Sequence, residues 1–161
     1  MPHPATHLAT YLGLLHRAEH TLAESFVTVG HGHQAEADVY HICQSLAKMS
    51  LQHEQQLAPV VARYGEQRGG EDVEEPERLH ADGVASVRAG AVGLLRDLQD
   101  LYLLASLVQS TWTVIYQAAQ GVRDSELIEI AQQCMGETSR QQSWLQTRIK
   151  VSAPQALLVA R

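Results

Sequence analysis

The sequence lacks a long uncharged apolar run and has little positive charge. No apolar stretch in its 161 residues approaches the roughly 18 residues that suggest a membrane-spanning helix. The 12 Lys and Arg residues are outnumbered by 18 Asp and Glu, which gives a net charge of -6, whereas surfaces that bind nucleic acid or anionic lipid carry clustered Lys and Arg. The first residues show neither the basic start nor the apolar run of a signal peptide. We therefore expect a cytoplasmic protein that binds neither nucleic acid nor a membrane.

Cysteine and aromatic residues are also scarce. The two cysteines, Cys43 and Cys134, do not belong to a CxxC pair, so nothing suggests a zinc knuckle or a redox dithiol. Aromatic residues make up only 5% of the chain, and the helix formers Ala, Leu, Gln and Glu dominate. At 45% hydrophobic and 19% charged residues, the composition is that of an ordinary globular domain. The sequence predicts a single all-α domain over residues 1–161.

Apolar periodicity and stop signals predict four helices. Thr6 and Asp124 are N-caps for the first and last helices, and Pro154 is expected to end the last one. The segment Gly30–His33 should break the first helix, with its glycines supplying positive φ, and Pro59 should kink the second. The histidines of that turn could hold a surface metal, but a mobile turn is a poor cage. The predicted helices span residues 6–29, 35–64, 86–120 and 124–151.

The longest predicted connection, 65–85, separates the helices into two hairpins. It is rich in glycine and contains the acidic run 71–77, which is most simply a solvated surface. Some 20 residues can extend over roughly 60 Å, enough to run the full length of a helical bundle. In such a crossover topology the second and fourth helices are antiparallel. Cys43 and Cys134 then lie on opposite sides of the level of His53, so we expect no disulfide between them.

Three polar residues occupy positions where the helical pattern calls for apolar ones. Glu19, His53 and Glu137 each interrupt an apolar stripe, on the first, second and fourth helices respectively. A carboxylate that faces a core is costly unless it is paired or coordinated. We therefore expect the three side chains to converge inside the bundle.

Two hairpins joined by one long crossover, with acids and a histidine facing inward, resemble the ferritin-like superfamily of ferritin and rubrerythrin over about residues 6–150. The resemblance implies two metal ions held by one Glu from each of two helices and a Glu-x-x-His motif from each of the other two. Here Ser50 replaces the Glu that should precede His53, and Arg140 replaces the His that should follow Glu137. On the third helix, Gln109 or Ser106 is the nearest polar substitute. With Glu19, three of the six positions match.

These departures leave several hypotheses open, and the sequence does not decide whether the protein is an enzyme. Glu19, His53 and Glu137 resemble a reduced site for one iron, manganese or zinc ion. Alternatively, Arg140 joins them in a buried ion network that has replaced the metal, leaving a non-catalytic binding or structural module. In an offset version of the metal site, Glu54 supplies the carboxylate of the second helix. The apolar tail 155–161 should cap the bundle or meet a second subunit, which would make a homodimer.

Overall fold

The computed structural model describes residues 6–67 and 82–160, and every element of regular secondary structure within them is a helix. It forms α1 (Thr6–Gly32), α2 (Ala37–Gln67), α3 (Gly90–Gly121) and α4 (Ser125–Pro154), followed by a short π-helix at Gln155–Val159. The all-α prediction is confirmed, and so are four long helices. The acidic run 71–77, and with it most of the predicted crossover, lies outside the described residues.

The predicted break at Gly30–His33 begins too early. Helix α1 continues to Gly32, and Gly90 is the one glycine with positive φ in the described part of the chain. The two glycines of the turn permit close packing instead. A Cβ on Gly30 would lie 3.0 Å from Cβ of Cys43, and one on Gly32 would clash with Val87. A tight approach between segments, rather than backbone conformation, accounts for glycine at these two positions.

Both prolines, Pro59 and Pro154, lie within α-helices. Helix α2 is helical on both sides of Pro59. Helix α4 includes Pro154, so the prediction that it stops earlier is wrong. Beyond Pro154 the wider π-helical turn takes over, closed by a 2.8 Å hydrogen bond from the backbone N–H of Ala160 to the carbonyl of Gln155.

Helix α1 packs against both α2 and α3. His33, at the end of α1, contacts Asp97 near the start of α3, while Glu19 in the middle of α1 contacts Trp112 further along α3. Residue numbers therefore rise on one helix as they fall on the other, and the two helices are antiparallel.

Helix α4 packs against α3 and α2. Arg148 near its C-terminus binds Asp38 at the start of α2, whereas Asp124 at its N-terminus binds Arg63 near the end of α2. These two helices are also antiparallel, and α2 ends beside the turn that follows α3. Cys43 and Cys134 are buried free thiols, which confirms that they form no disulfide.

Candidate functional site

The three polar residues predicted to face the core are in contact with one another. Nδ1 of His53 lies 3.2 Å from Oε1 of Glu19, and Nε2 lies 2.6 Å from Oε2 of Glu137. Glu19 and His53 are fully buried, while 20% of the Glu137 side chain is exposed. A doubly protonated imidazole can donate to both carboxylates at once. The contacts make a Glu–His–Glu network that links α1, α2 and α4.

The helical pattern explains why the network has one end in the core and one end near solvent. Glu19 is followed on its stripe by Leu22, and His53 by Leu57, and all four side chains are fully buried. On α4 the fully buried position is the neighbouring Thr138. Glu137 therefore lies at the edge of the buried stripe rather than within it, and its carboxylate reaches inward to His53.

Helix α3 contributes a tryptophan to the network. Nε1 of Trp112 donates to Oε1 of Glu19 at 2.9 Å, and the indole ring meets the His53 ring edge to face, with centroids 6.4 Å apart. The other oxygen of Glu19, Oε2, is buried and has no hydrogen-bond partner among the described residues. All four helices thus supply one side chain each to a single buried polar group.

The two candidates on the third helix, Gln109 and Ser106, contact α4. The amide of Gln109 donates to the backbone carbonyl of Met135 at 3.0 Å, and Ser106 accepts from the amide of Gln142 at 3.1 Å. The position beside Glu19 belongs to Trp112, whose N–H can only donate. Sequence reasoning did not assign that tryptophan to the site, because its apolar ring fits a core position and conceals one polar atom.

The remaining candidates lie around the network without joining it. Ser50 is buried and accepts a 2.9 Å hydrogen bond from Gln141, which also donates to the backbone carbonyl of Leu46 at 3.0 Å. Glu54 faces α1, where its carboxylate lies 3.1 Å from Nδ1 of His20. Arg140 is exposed. Within the described residues, the network consists of two acids and a histidine with no arginine.

The surroundings of His53 favour its charged form. Burial by itself lowers the pKa of this imidazole, but its interactions with Cys134 and Glu19 outweigh burial and raise the pKa to about 11. Burial raises the pKa of the Cys134 thiol, although the bond with His53 acts in the opposite direction. At neutral pH we therefore describe the site as an imidazolium held between two carboxylates beside a neutral thiol.

In this arrangement the three residues do not fit a single metal ion bound by all of them. The two carboxylates approach different nitrogens of the same ring, so an ion at either nitrogen meets one carboxylate only. A protonated imidazole also has no lone pair to give. Across residues 6–67 and 82–160, no group of three or more His, Cys, Asp or Glu side chains is placed to hold a metal.

Sequence reasoning missed a second buried acid, Asp97 on α3. Its side chain is fully buried and accepts from Nε2 of His33 at 2.8 Å, from the backbone N–H of Arg88 at 3.0 Å and from the Arg88 guanidinium at 2.8 Å. Asp97 lies between Leu94 and Leu101 on the apolar stripe of α3. This is the same signal that identified Glu19, so the pattern could have revealed it.

The described fold and site define an all-α, four-helix protein with a charged hydrogen-bonded network at its centre. Comparisons with protein-family models, with curated proteins and with solved structures give no match. Among the helices that the structure describes, none is both long enough and apolar enough to cross a membrane.

Proposed function

We propose that this chain is a ferritin-like helical bundle that acts as a non-catalytic binding or structural module, with the Glu19–His53–Glu137 network in place of a core metal. The observation that carries the proposal is that both ring nitrogens of His53 are taken by carboxylates. An imidazole held in this way supplies the positive charge that a metal would otherwise bring to the core.

The order of the helices supports the ferritin-like assignment. Helix α2 ends beside the turn between α3 and α4, where Arg63 binds Asp124. Helix α3 begins at the other end of the bundle, where Asp97 meets the end of α1. Because α2 ends at one end of the bundle and α3 begins at the other, the connection between the two hairpins must be long. One long connection between two hairpins is the topology of ferritin-like bundles.

The burial of the network supports a role without catalysis. Glu19 and His53 have no exposed surface, and only Glu137 reaches solvent. A general base or a nucleophile must come within hydrogen-bond reach of its substrate. The two most polar members of this core are closed off from any molecule outside the bundle.

Metal analysis tests the proposal directly. The full chain is expressed in medium supplemented with iron, manganese or zinc, purified without chelator, and analysed by mass spectrometry for bound metal. We expect far less than one ion per chain, and a thermal unfolding midpoint that a chelator does not change. One equivalent of metal that is lost in Glu19→Gln and His53→Gln, but retained in the exposed control Glu24→Gln, would overturn the proposal.

One observation favours a second candidate function, the binding of one iron, manganese or zinc ion by Glu19, His53 and Glu137 after the His53 ring turns, since in the present arrangement the two carboxylates meet different ring nitrogens. Oε2 of Glu19 is buried without a partner in the described residues, and a buried oxygen of this kind is costly unless something satisfies it. The same measurement separates the two candidates, since stoichiometric metal supports the second and excludes the first.

A further inference from the structure

Exposed apolar side chains are unevenly distributed over the described surface. Eight of the ten large apolar residues that are exposed belong to α3, α4 or the segments that follow them. Three lie on the outside of α3 and three in the π-helix. Among the described residues of α1, α2 and the segments beside them, only Val27 and Leu51 are exposed large apolar residues. The two groups of three are Val92, Leu103 and Val114, and Leu157, Leu158 and Val159.

The outer face of α3 also lacks charge. From Leu101 to Val122 the sequence contains no Asp, Glu, Lys, Arg or His. Leu103, Ser110 and Val114 follow at spacings of seven and four residues, so they share one stripe, and all three are exposed. A helix at the surface of a bundle ordinarily carries charged residues on its outer side. We call this stripe, 103–114, the neutral face.

An uncharged groove adjoins the neutral face. A cavity of about 270 Å³ opens between α3 and α4, lined by Gln99, Tyr102, Leu103, Gln146 and Ile149. Leu103 belongs both to this groove and to the neutral face. Exposed apolar side chains that cluster around a groove often mark a surface that another molecule covers.

The π-helix presents an apolar projection next to α3 and α4, the two helices that form the groove. It packs against α3 and α4 through Ala156, which is 5% exposed, whereas Leu157 and Leu158 are 66% and 83% exposed. The anchored alanine fixes the segment, so these leucines stay in solvent instead of folding back into the groove. One chain therefore carries both an uncharged groove and an uncharged projection.

We infer that the neutral face, the groove and the π-helix bind a second copy of this chain in a two-fold arrangement. A two-fold axis brings the projection of each copy to the groove of the other, so one pair of complementary features is used twice. Two copies with a net charge of -6 each repel one another least where their surfaces carry no charge. A charged partner would find nothing complementary on this face. The inference rests on the binding role proposed above and names the partner.

The size of the interface requires the π-helix. The whole uncharged segment 101–122, which contains the neutral face, is 22 residues long, and as a helix about 33 Å long and about 10 Å wide it offers a projected strip of at most about 330 Å². A stable interface buries about 800 Å² on each partner. The neutral face alone is too small, and the exposed residues 157–159 must contribute. A substitution in either part should therefore separate the copies.

Light scattering after size-exclusion chromatography tests the inference on the full chain over a wide range of concentration. We expect a mass twice the 17.7 kDa of one chain. Leu103→Asp and Leu158→Asp should each raise the dimer dissociation constant about tenfold or more, because each places a charge where a leucine is buried. The matched control is Leu51→Asp, a similar change on exposed α2, which should remain dimeric.

A wild-type chain that stays monomeric at every concentration would overturn the inference and leave the face to a different partner. So would a Leu51→Asp variant that dissociates as readily as the other two. Circular dichroism checks that each variant is folded, and Leu158 lies in the terminal segment, where a substitution disturbs the bundle least. This test measures mass, whereas the test of the proposed function measures bound metal. The absence of a dimer would therefore not contradict the proposed function, and the presence of metal would not contradict the dimer.

Discussion

Oε1 of Glu19 accepts a 2.9 Å hydrogen bond from the indole Nε1 of Trp112 and also lies 3.2 Å from Nδ1 of His53. One oxygen of α1 thus joins α2 and α3, and the other nitrogen of His53 continues the connection to Glu137 on α4. Glu19 has no exposed surface. The four helices are therefore connected at one level by polar contacts, two of which depend on the imidazole of His53.

Removing the imidazole should destabilise the bundle strongly. His53→Leu leaves Glu19 buried without its positive partner, and breaking a buried ion pair from one side costs about 3–5 kcal/mol of unfolding free energy. Urea unfolding followed by circular dichroism measures this difference. The control is Glu24→Gln, on the solvent-exposed side of α1, which should change the free energy of unfolding by only about 0.5 kcal/mol or less.

Replacing the buried group as a unit should recover much of that loss. A variant that combines Glu19→Met, His53→Leu and Trp112→Phe removes the fully buried members of the group together and leaves only Glu137, which is 20% exposed, without its partner. Apolar replacements of buried ionic groups are often neutral or stabilising. We expect this triple variant to be more stable than His53→Leu alone. A His53→Leu variant as stable as the wild type would show that the ion pair does not hold the helices together.

The stability of the protein should fall as pH rises through the alkaline range. The pKa of His53 rises from an ordinary 6.5 to about 11 on folding, so the folded state binds this proton more tightly than the unfolded chain. The stabilisation is complete below about pH 6.5, declines above it and is lost near the raised pKa. Unfolding free energies of the wild type and His53→Leu at about pH 6 and about pH 9 give the comparison.

The quantity of interest is the stability difference between these two proteins, because other groups that titrate in this range cancel. Glu19, Glu137 and Cys134 are the titratable groups that face the ring. The difference should shrink from the lower pH to the higher one. A difference that grows with pH would mean that the neutral imidazole is the form that folding selects.

The second buried acid should matter as much as the first. Asp97→Ala removes the acceptor of hydrogen bonds from His33 and from the backbone and side chain of Arg88, which should cost about 3–5 kcal/mol because these donors lose a charged partner in the interior. Arg88→Ala should cost less, since 45% of the Arg88 side chain is exposed. Urea unfolding of both variants provides the measurement, and equal losses would place the contribution in the arginine instead.

Sequence periodicity was sufficient for the parts of the site in which a polar residue replaces an apolar one. Glu19 and His53 stand on long apolar stripes, so their burial follows from helical geometry. Trp112 could not be assigned in the same way, because its ring satisfies the apolar pattern whatever its N–H contacts. The same limit applies to partner choice. Periodicity gives the face on which a side chain lies, but not which of its neighbours it binds across the bundle.

Helix ends were harder to predict than helix faces, because the same residue serves different purposes. Gly32 was expected to supply positive φ, yet it makes room for Val87 from the segment before α3, a contact between residues far apart in sequence. Pro154 was expected to lie beyond the end of α4, but it is the last residue of that helix, and the π-helix continues the chain directly after it. Both predictions were wrong because they used the local sequence alone. Whether such a residue ends a helix or remains within it depends on contacts with segments that are distant in sequence.

The cap of α4 gives a prediction for the acid side. Asp124 accepts from the backbone N–H of Leu127 at 3.1 Å, from the hydroxyl of Tyr64 at 2.7 Å and from Arg63 at 2.9 Å. Burial opposes ionisation here, but these hydrogen bonds outweigh it and lower the pKa of Asp124. The contribution of Asp124 to the stability of the fold is therefore present above the ordinary carboxyl pKa of 3.8 and is lost as pH falls below that value.

Asp124→Ala should cost about 2 kcal/mol or more of unfolding free energy, since it removes a helix cap and leaves the Tyr64 hydroxyl unpaired. Glu126→Gln is the matched control, because this exposed carboxylate lies 3.9 Å from Arg63 and such surface pairs contribute about 1 kcal/mol at most. Urea unfolding at neutral pH and near pH 3 measures both variants, and the Asp124→Ala loss should be smaller at the lower pH. A loss that is the same at both would show that the charge of Asp124 has no part in holding α2 to α4.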